Sequence, residues 1–219
     1  MRLILLLVST LLYSSTFASV QNCESALHRS PWFSAYQTIL FNTGHADKWD
    51  DFSFLLKDMR PERLDGEISE IDADHVDVVV HKASQFRDSS DSIVLVEDSA
   101  LHVEGADIGV NVKWRLGLLK NLIGRRAVWE VLIAYRRNDL VYVFKGSVAG
   151  RIVAPQSNYH RFAGYFEANV DAEHSDPNFA YFTARSQASR AVLAHDAYAV
   201  RPVIERWQGS FQPTTPLAD

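Results

Sequence analysis

Cysteine is almost missing from this sequence: Cys23 is the single one among 219 residues. No intramolecular disulfide is therefore available, and zinc or iron–sulfur sites built from several thiolates are excluded. An excess of positive charge is missing too. Lys and Arg total 22 against 27 Asp and Glu, a net charge of −5, with a pI near 5.9. Such a chain lacks the broad cationic field that a nucleic acid polymer requires. A local cationic pocket for a phosphate-bearing small molecule is compatible with it. Several catalytic signatures are also absent: a glycine-rich loop ending in Gly-Lys-Ser/Thr, a Gly-x-Gly-x-x-Gly turn after the first strand, a His-Glu-x-x-His helix and a Gly-x-Ser-x-Gly elbow. What is present is ordinary for a folded domain, with 47% hydrophobic and 22% charged residues and no long linker or low-complexity tract. One domain, or two lobes around a shared core, is expected.

The longest apolar stretch, residues 3–12 after Arg2, is shorter than the ~20 residues of a membrane-spanning helix. It leads to Thr16-Phe17-Ala18 before Ser19. A basic start, a short apolar run and a small-residue exit read as a signal peptide over 1–18. The mature chain is then expected to be secreted or periplasmic, without stable membrane association. A start codon set too early would leave it cytoplasmic. Cys23 follows Val20-Gln21-Asn22, which lacks the small residues that precede a lipid-modified cysteine.

Along the rest of the chain, Thr38-Ile39-Leu40-Phe41-Asn42 reads as a strand ending at Thr43-Gly44. Trp49, Phe52, Leu55 and Leu56 then recur at helical spacing, with Pro61 as a stop. Residues 68–71 read as a strand end and 74–86 as a helix that Asp72 or Asp74 can cap. Residues 92–96 are expected to form a buried strand ending at Glu97-Asp98, and 112–122 a helix. Residues 127–135 and 140–148 form strands joined at Asn138-Asp139, 150–153 a short strand, and 184–200 a final helix. Alternating strands and helices predict an α/β domain. His75 and His81 fall on different helix faces, so no metal pair is expected there. Asp72, Asp74 and Asp77 suit a dipole-favoured helix start.

The remaining candidates are charged residues at expected strand ends, where ligands of α/β sheets gather. Thr43-Gly44 offers a hydroxyl and close backbone approach, and Lys48 adds positive charge. Glu70 and the Glu97-Asp98 pair offer carboxylates for Mg²⁺. Lys113 and Arg190 can neutralise phosphate oxygens.

The run Val94-Leu95-Val96-Glu97-Asp98-Ser99-Ala100-Leu101 resembles the acidic signature of inosine triphosphate pyrophosphatases. Other blocks follow in the family's order. Residues 39–48, with Asn42-Thr43-Gly44-His45 and Lys48, are similar to its first strand and Thr-Gly-Asn-x-x-Lys loop. Ile68-Ser69-Glu70-Ile71, Lys82, Lys113-Trp114, Phe144-Lys145-Gly146 and Gly150-Arg151-Ile152-Val153-Ala154-Pro155 match further blocks. The likeness extends over about residues 37–200. It implies a mixed twisted sheet with flanking helices and two lobes around a central cleft. The pyrophosphatase-like domain would span 37–205, after an extension at 19–36 and before a tail at 206–219. The resemblance further implies attack by water between the α- and β-phosphates of a nucleoside triphosphate, and a homodimer. Glu70 and Asp98 would hold Mg²⁺, with Asp98 also activating the water. Thr43, Gly44, His45, Lys48, Lys82, Glu97, Lys113, Phe162 and Arg190 would contact the substrate.

The sequence departs from the family at the base end. His45 replaces the loop asparagine, Phe162-Ala163-Gly164-Tyr165 lacks the aspartate of Phe-Gly-Trp/Tyr-Asp, and Ala188-Ser189-Arg190 lacks the histidine of Ser-His-Arg. Arg185 can stand for the lysine that precedes that last motif. Two readings therefore stay open: an active pyrophosphatase with altered base preference, or an inactive relative that binds a nucleotide or a protein.

Overall fold

A computed structural model describes residues 31–34, 38–66, 68–69, 71–87, 89–155, 165–168 and 177–208. The expected signal at 1–18, Cys23 and the site candidates Glu70 and Phe162 lie outside the described residues.

Long β-branched and aromatic runs build the centre. Strand β3 (Ser92–Val103) is flanked by β1 (Thr38–Asn42) on one side and β5 (Arg126–Arg137) on the other; β5 turns through Asn138 into β6 (Leu140–Ile152). Beyond β1 lies β2 (Glu62–Leu64), and beyond β6 lies β7 (Phe166–Ala168). β1, β2 and β3 run parallel, whereas the β3, β5, β6 and β7 pairings are antiparallel. The mixed α/β sheet expected from the sequence is thus the observed one. Two short strands complete the edges. β4 (Ala106–Gly109) pairs with the far end of β3, and β8 (Ala199–Pro202) pairs with the start of β6.

Helices cover both faces. Helix α1 (Pro31–Ser34) brings Phe33 into the core. Helix α2 (Ala46–Leu55) and helix α5 (Pro177–Ala194) pack Phe52, Ala180, Ala184 and Ala188 against one face of the sheet. Helix α3 (His75–Ser84) packs Val79, Val80 and Ala83 against the other. Asp74, one of the two expected caps, accepts a hydrogen bond from the Asp77 N–H at 2.9 Å. Short helical turns at Val110–Lys113 and Leu116–Leu119 (α4) connect β4 to β5.

Several expected boundaries are corrected. The helix expected over 112–122 is a 3₁₀ turn followed by a single short turn of α-helix. Val112 and Leu119 are anchored in the core separately, and i→i+3 bonds such as Trp114 N–H to Asn111 C=O tighten the connection. Residues 150–153 are not a separate strand, because β6 continues through them to Ile152 while pairing with both β5 and β7. No strand is assigned at 68–69.

The last helix ends at Ala194 instead of running to 200. His195 takes a left-handed conformation, φ 53°, and closes a Schellman motif in which the Asp196 and His195 N–H groups donate to the Ala191 and Val192 carbonyls. The ring offsets that strain: His195 Nε2 lies 2.7 Å from the Tyr135 hydroxyl, and Trp32 stacks on it at 4.3 Å. The residues that follow fill the free edge of β6 as β8.

Gly146 sets how close α5 can come to the sheet. A Cβ there would lie 2.0 Å from the Ala184 carbonyl oxygen and 2.6 Å from the Ala188 nitrogen. Gly146→Ala is therefore expected to destabilise the protein by about 1–3 kcal/mol, the usual cost of overpacking, measured by urea unfolding. An unchanged midpoint would contradict the close helix–sheet contact.

Candidate active site

Glu97 and Asp98 sit inside β3, not at its end as the sequence suggested, because β3 continues to Val103 along β5. Their position is nevertheless an edge. The last β1 partner on β3 is Val96, opposite Asn42, and β4 begins to pair only at Leu101. Among the described residues, 97–100 of β3 have no strand beside them on that side. The chain leaving β1 turns at this level through Thr43-Gly44. Asn42 fixes the turn by donating from Nδ2 to the Leu64 and Gly66 carbonyls, both at 3.1 Å. Thr43 is buried, and its Oγ1 accepts from the His45 N–H at 3.2 Å.

Successive strand residues face opposite sides, so the two carboxylates enter different surroundings. Glu97 faces α2 and α5. Lys48 Nζ donates to Glu97 Oε2 at 2.5 Å, and Ser99 Oγ donates to Oε1. Arg185, paired with Asp51, adds positive charge on that side. Burial favours the neutral form of Glu97, but Lys48 and Arg185 outweigh it and hold the carboxyl below its usual range. Asp98 faces α3. Its Oδ1 accepts from Lys82, and its Oδ2 lies 3.4 Å from His75 Nε2. Burial again opposes the charge, yet Lys82 and His75 keep Asp98 well below the ordinary carboxylate range. The charge of Lys48 also reaches Asp98.

The charged row continues along the α3 side. His75 Nδ1 is 2.8 Å from Glu130 Oε1, His102 Nε2 is 3.3 Å from the same oxygen, and Lys145 pairs with Glu130 Oε2. Glu130 lies opposite Ala100 on β5, and Lys145 lies opposite Leu132 on β6, so both share the face of Asp98. Burial works against charge on His75, but the carboxylates of Asp98 and Glu130 prevail and raise its pKa to about 9.

Of the sequence candidates, the structure brings Lys48 to Glu97 and Lys82 to Asp98, while Thr43, Gly44 and His45 form the turn between β1 and α2. Gly44 and His45 are exposed. Lys113 is exposed on the 3₁₀ turn, with its ammonium 5.1 Å from the centre of the Trp114 ring. Arg190 is exposed on α5, whereas Arg185 faces the Glu97 side. Sequence reading did not single out His75, His102, Glu130 or Lys145 as a cluster. The available signal was Glu130 itself, a carboxylate inside the apolar run Val128-Trp129-Glu130-Val131-Leu132, where an unpaired charge is costly.

Comparison with protein-family models gives a match to the Ham1 family over residues 39–195. No curated protein matches the chain.

The raised pKa of His75 predicts a pH dependence in chelator-treated protein. The folded value, about 9, lies above the unfolded 6.5. Its contribution to stability is therefore complete below pH 6.5 and is lost as the pH rises through 9. Urea midpoints should fall across this window, and the His75 imidazole resonances should titrate near its upper end. Titration of His75 near 6.5 would contradict the paired-carboxylate environment.

Proposed function

Because the chain belongs to the Ham1 family, that of the inosine triphosphate pyrophosphatases, we propose that it hydrolyses nucleoside triphosphates to the monophosphate and pyrophosphate. Aberrant purine nucleotides such as inosine and xanthosine triphosphate are the proposed substrates. The observation that carries this reading is the pairing of buried Asp98 with Lys82 on a stretch of β3 that has no strand beside it on that side among the described residues, at the level where β1 turns through Thr43-Gly44. Export through residues 1–18 would place the activity outside the cytoplasm.

Mg²⁺ takes one or two carboxylates together with substrate phosphates and water. Asp98 fits that demand, being an ionised oxygen donor whose Oδ1 is held by a lysine side chain rather than by backbone. Asp98 would hold the ion, with Glu70 as the second carboxylate that the family resemblance supplies. When bound, the ion neutralises charge on the phosphate oxygens.

The chain's own residues do the rest. Lys48 and Lys82 are each paired with a carboxylate in the nucleotide-free protein. A triphosphate offers both lysines a second anionic partner, and the Thr43-Gly44 turn supplies backbone and hydroxyl contacts beside it. While Lys82 lies on it, Asp98 is a poor proton acceptor, since its pKa is strongly depressed. Transfer of Lys82 to phosphate frees the Asp98 oxygen it occupies to face water. Water then attacks the α-phosphorus, its proton passes to Asp98, and the bond to the oxygen bridging to the β-phosphorus breaks to release pyrophosphate.

The second reading, a nucleotide- or protein-binding relative without turnover, draws its support from the departures at His45, Tyr165 and Ser189. A nucleotide panel with Mg²⁺, followed by pyrophosphate release, separates the two. Asp98→Asn is expected to lower turnover by at least ~100-fold, the lower range for loss of a general base. Nucleotide affinity without metal should be retained, and circular dichroism should confirm the fold. Unchanged turnover in a folded Asp98→Asn protein would remove Asp98 from the reaction. No turnover of any nucleotide by the wild type would favour the binding reading.

A further inference from the structure

On the α3 face, His75, His102 and Glu130 bring one ligand atom each to within 4.8 Å of one another. We propose that this trio is a site for a zinc-class divalent ion, separate from the Mg²⁺ site proposed at Asp98. His75 Nδ1 and Glu130 Oε1 are 2.8 Å apart, and His102 Nε2 and Glu130 Oε1 are 3.3 Å apart. A tetrahedral ion with bonds of about 2.1 Å spaces its ligands by about 3.4 Å. Both separations fall short of that value, that of His102 only slightly, so a movement of the His75 ring away from Glu130 would seat an ion. Two imidazoles and a carboxylate select Zn²⁺ or Co²⁺ over Mg²⁺, which prefers oxygen donors.

The surroundings have the form of a metal site's outer shell. His75 is buried, and its Nε2 has no hydrogen-bond partner but lies 3.4 Å from Asp98 Oδ2. With the proton on Nε2 directed at Asp98, Nδ1 presents its lone pair to the ion, the carboxylate–histidine–metal arrangement. The other oxygen of Glu130, Oε2, is held by Lys145. His75, His102, Glu130 and Lys145 all line one cavity of about 500 Å³, together with Tyr198 and Arg201. A fourth ligand of the ion would enter from it. An anionic group entering there would meet the ion, Lys145 and Arg201 together. The trio rests on its own geometry and does not require the pyrophosphatase reading.

The test uses the full chain, stripped with chelator and titrated with Co²⁺ while its visible absorption is recorded. One equivalent of Co²⁺ is expected to bind with tetrahedral-type bands, to be displaced by Zn²⁺ and to resist excess Mg²⁺. His102→Ala, at a side chain 45% exposed, and Glu130→Gln should each weaken binding at least ~10-fold, since even outer-shell losses reach that size. Asp98→Asn should keep the bands, with lower affinity. X-ray absorption of the Zn²⁺-loaded wild type should show two imidazoles, a readout that needs no variant to fold. The assignment is overturned by a wild type without Co²⁺ bands, by binding that His102→Ala leaves unchanged, by complete loss in Asp98→Asn, or by a Zn²⁺ shell without imidazole. Because every readout is metal binding, failure here leaves the nucleotide hydrolysis test standing, and the reverse also holds.

Discussion

Burying two neighbouring carboxylates in one β-strand is the constraint to which the rest of this structure answers. Each ion taken from water without a partner costs several kcal/mol even after relaxation. Glu97 and Asp98 are adjacent, so the strand's alternation sends them to opposite faces and no single cation can serve both at close range. Each face therefore supplies its own lysine. Lys48 arrives from α2 and Lys82 from α3. On the Glu97 side the arrangement extends to Arg185 on α5, which is tied to Asp51 on α2. The contact of α5 with the sheet depends in turn on Gly146, where no side chain can stand between strand and helix backbone.

On the other face the charges alternate along a row: Lys82, Asp98, His75, Glu130, Lys145. Every buried anion lies between cationic partners. Such a row is stable only while its members remain in place, and a ligand that draws one cation away changes the proton affinity of the next group. This coupling makes the row suited to proton transfer. It also explains why the depressed pKa of Asp98 and the raised pKa of His75 arise together, since each charge stabilises the other.

The interruption of the sheet edge has equal weight. β1 stops pairing at Val96 and β4 starts at Leu101. Only in that gap can the Thr43-Gly44 turn and the residues of β3 face a common ligand. A longer β1 would have covered Glu97 and Asp98 with a strand and closed the site.

Much of this was legible in the sequence. The apolar runs determined β1, the first part of β3 and the β5–β6 hairpin, and Asp72 or Asp74 marked the start of α3. The run 94–101, together with blocks at 39–48, 113–114, 144–146 and 150–155 in the family's order, carried the resemblance to the family. These are local signals, set by period, capping and motif. The end of α5 was less legible because a histidine, not a glycine, takes the left-handed position, and its stability comes from Tyr135 and Trp32, far away in sequence. The 112–122 connection was misread because its apolar residues anchor separately rather than along one helical face. Only the tertiary structure decided that Glu97 and Asp98 part to opposite faces with different lysines. It alone joined His75, His102, Glu130 and Lys145, which come from α3, β3, β5 and β6. Strand register decides such meetings, and register is fixed by pairing between segments distant in the chain, which no local pattern encodes.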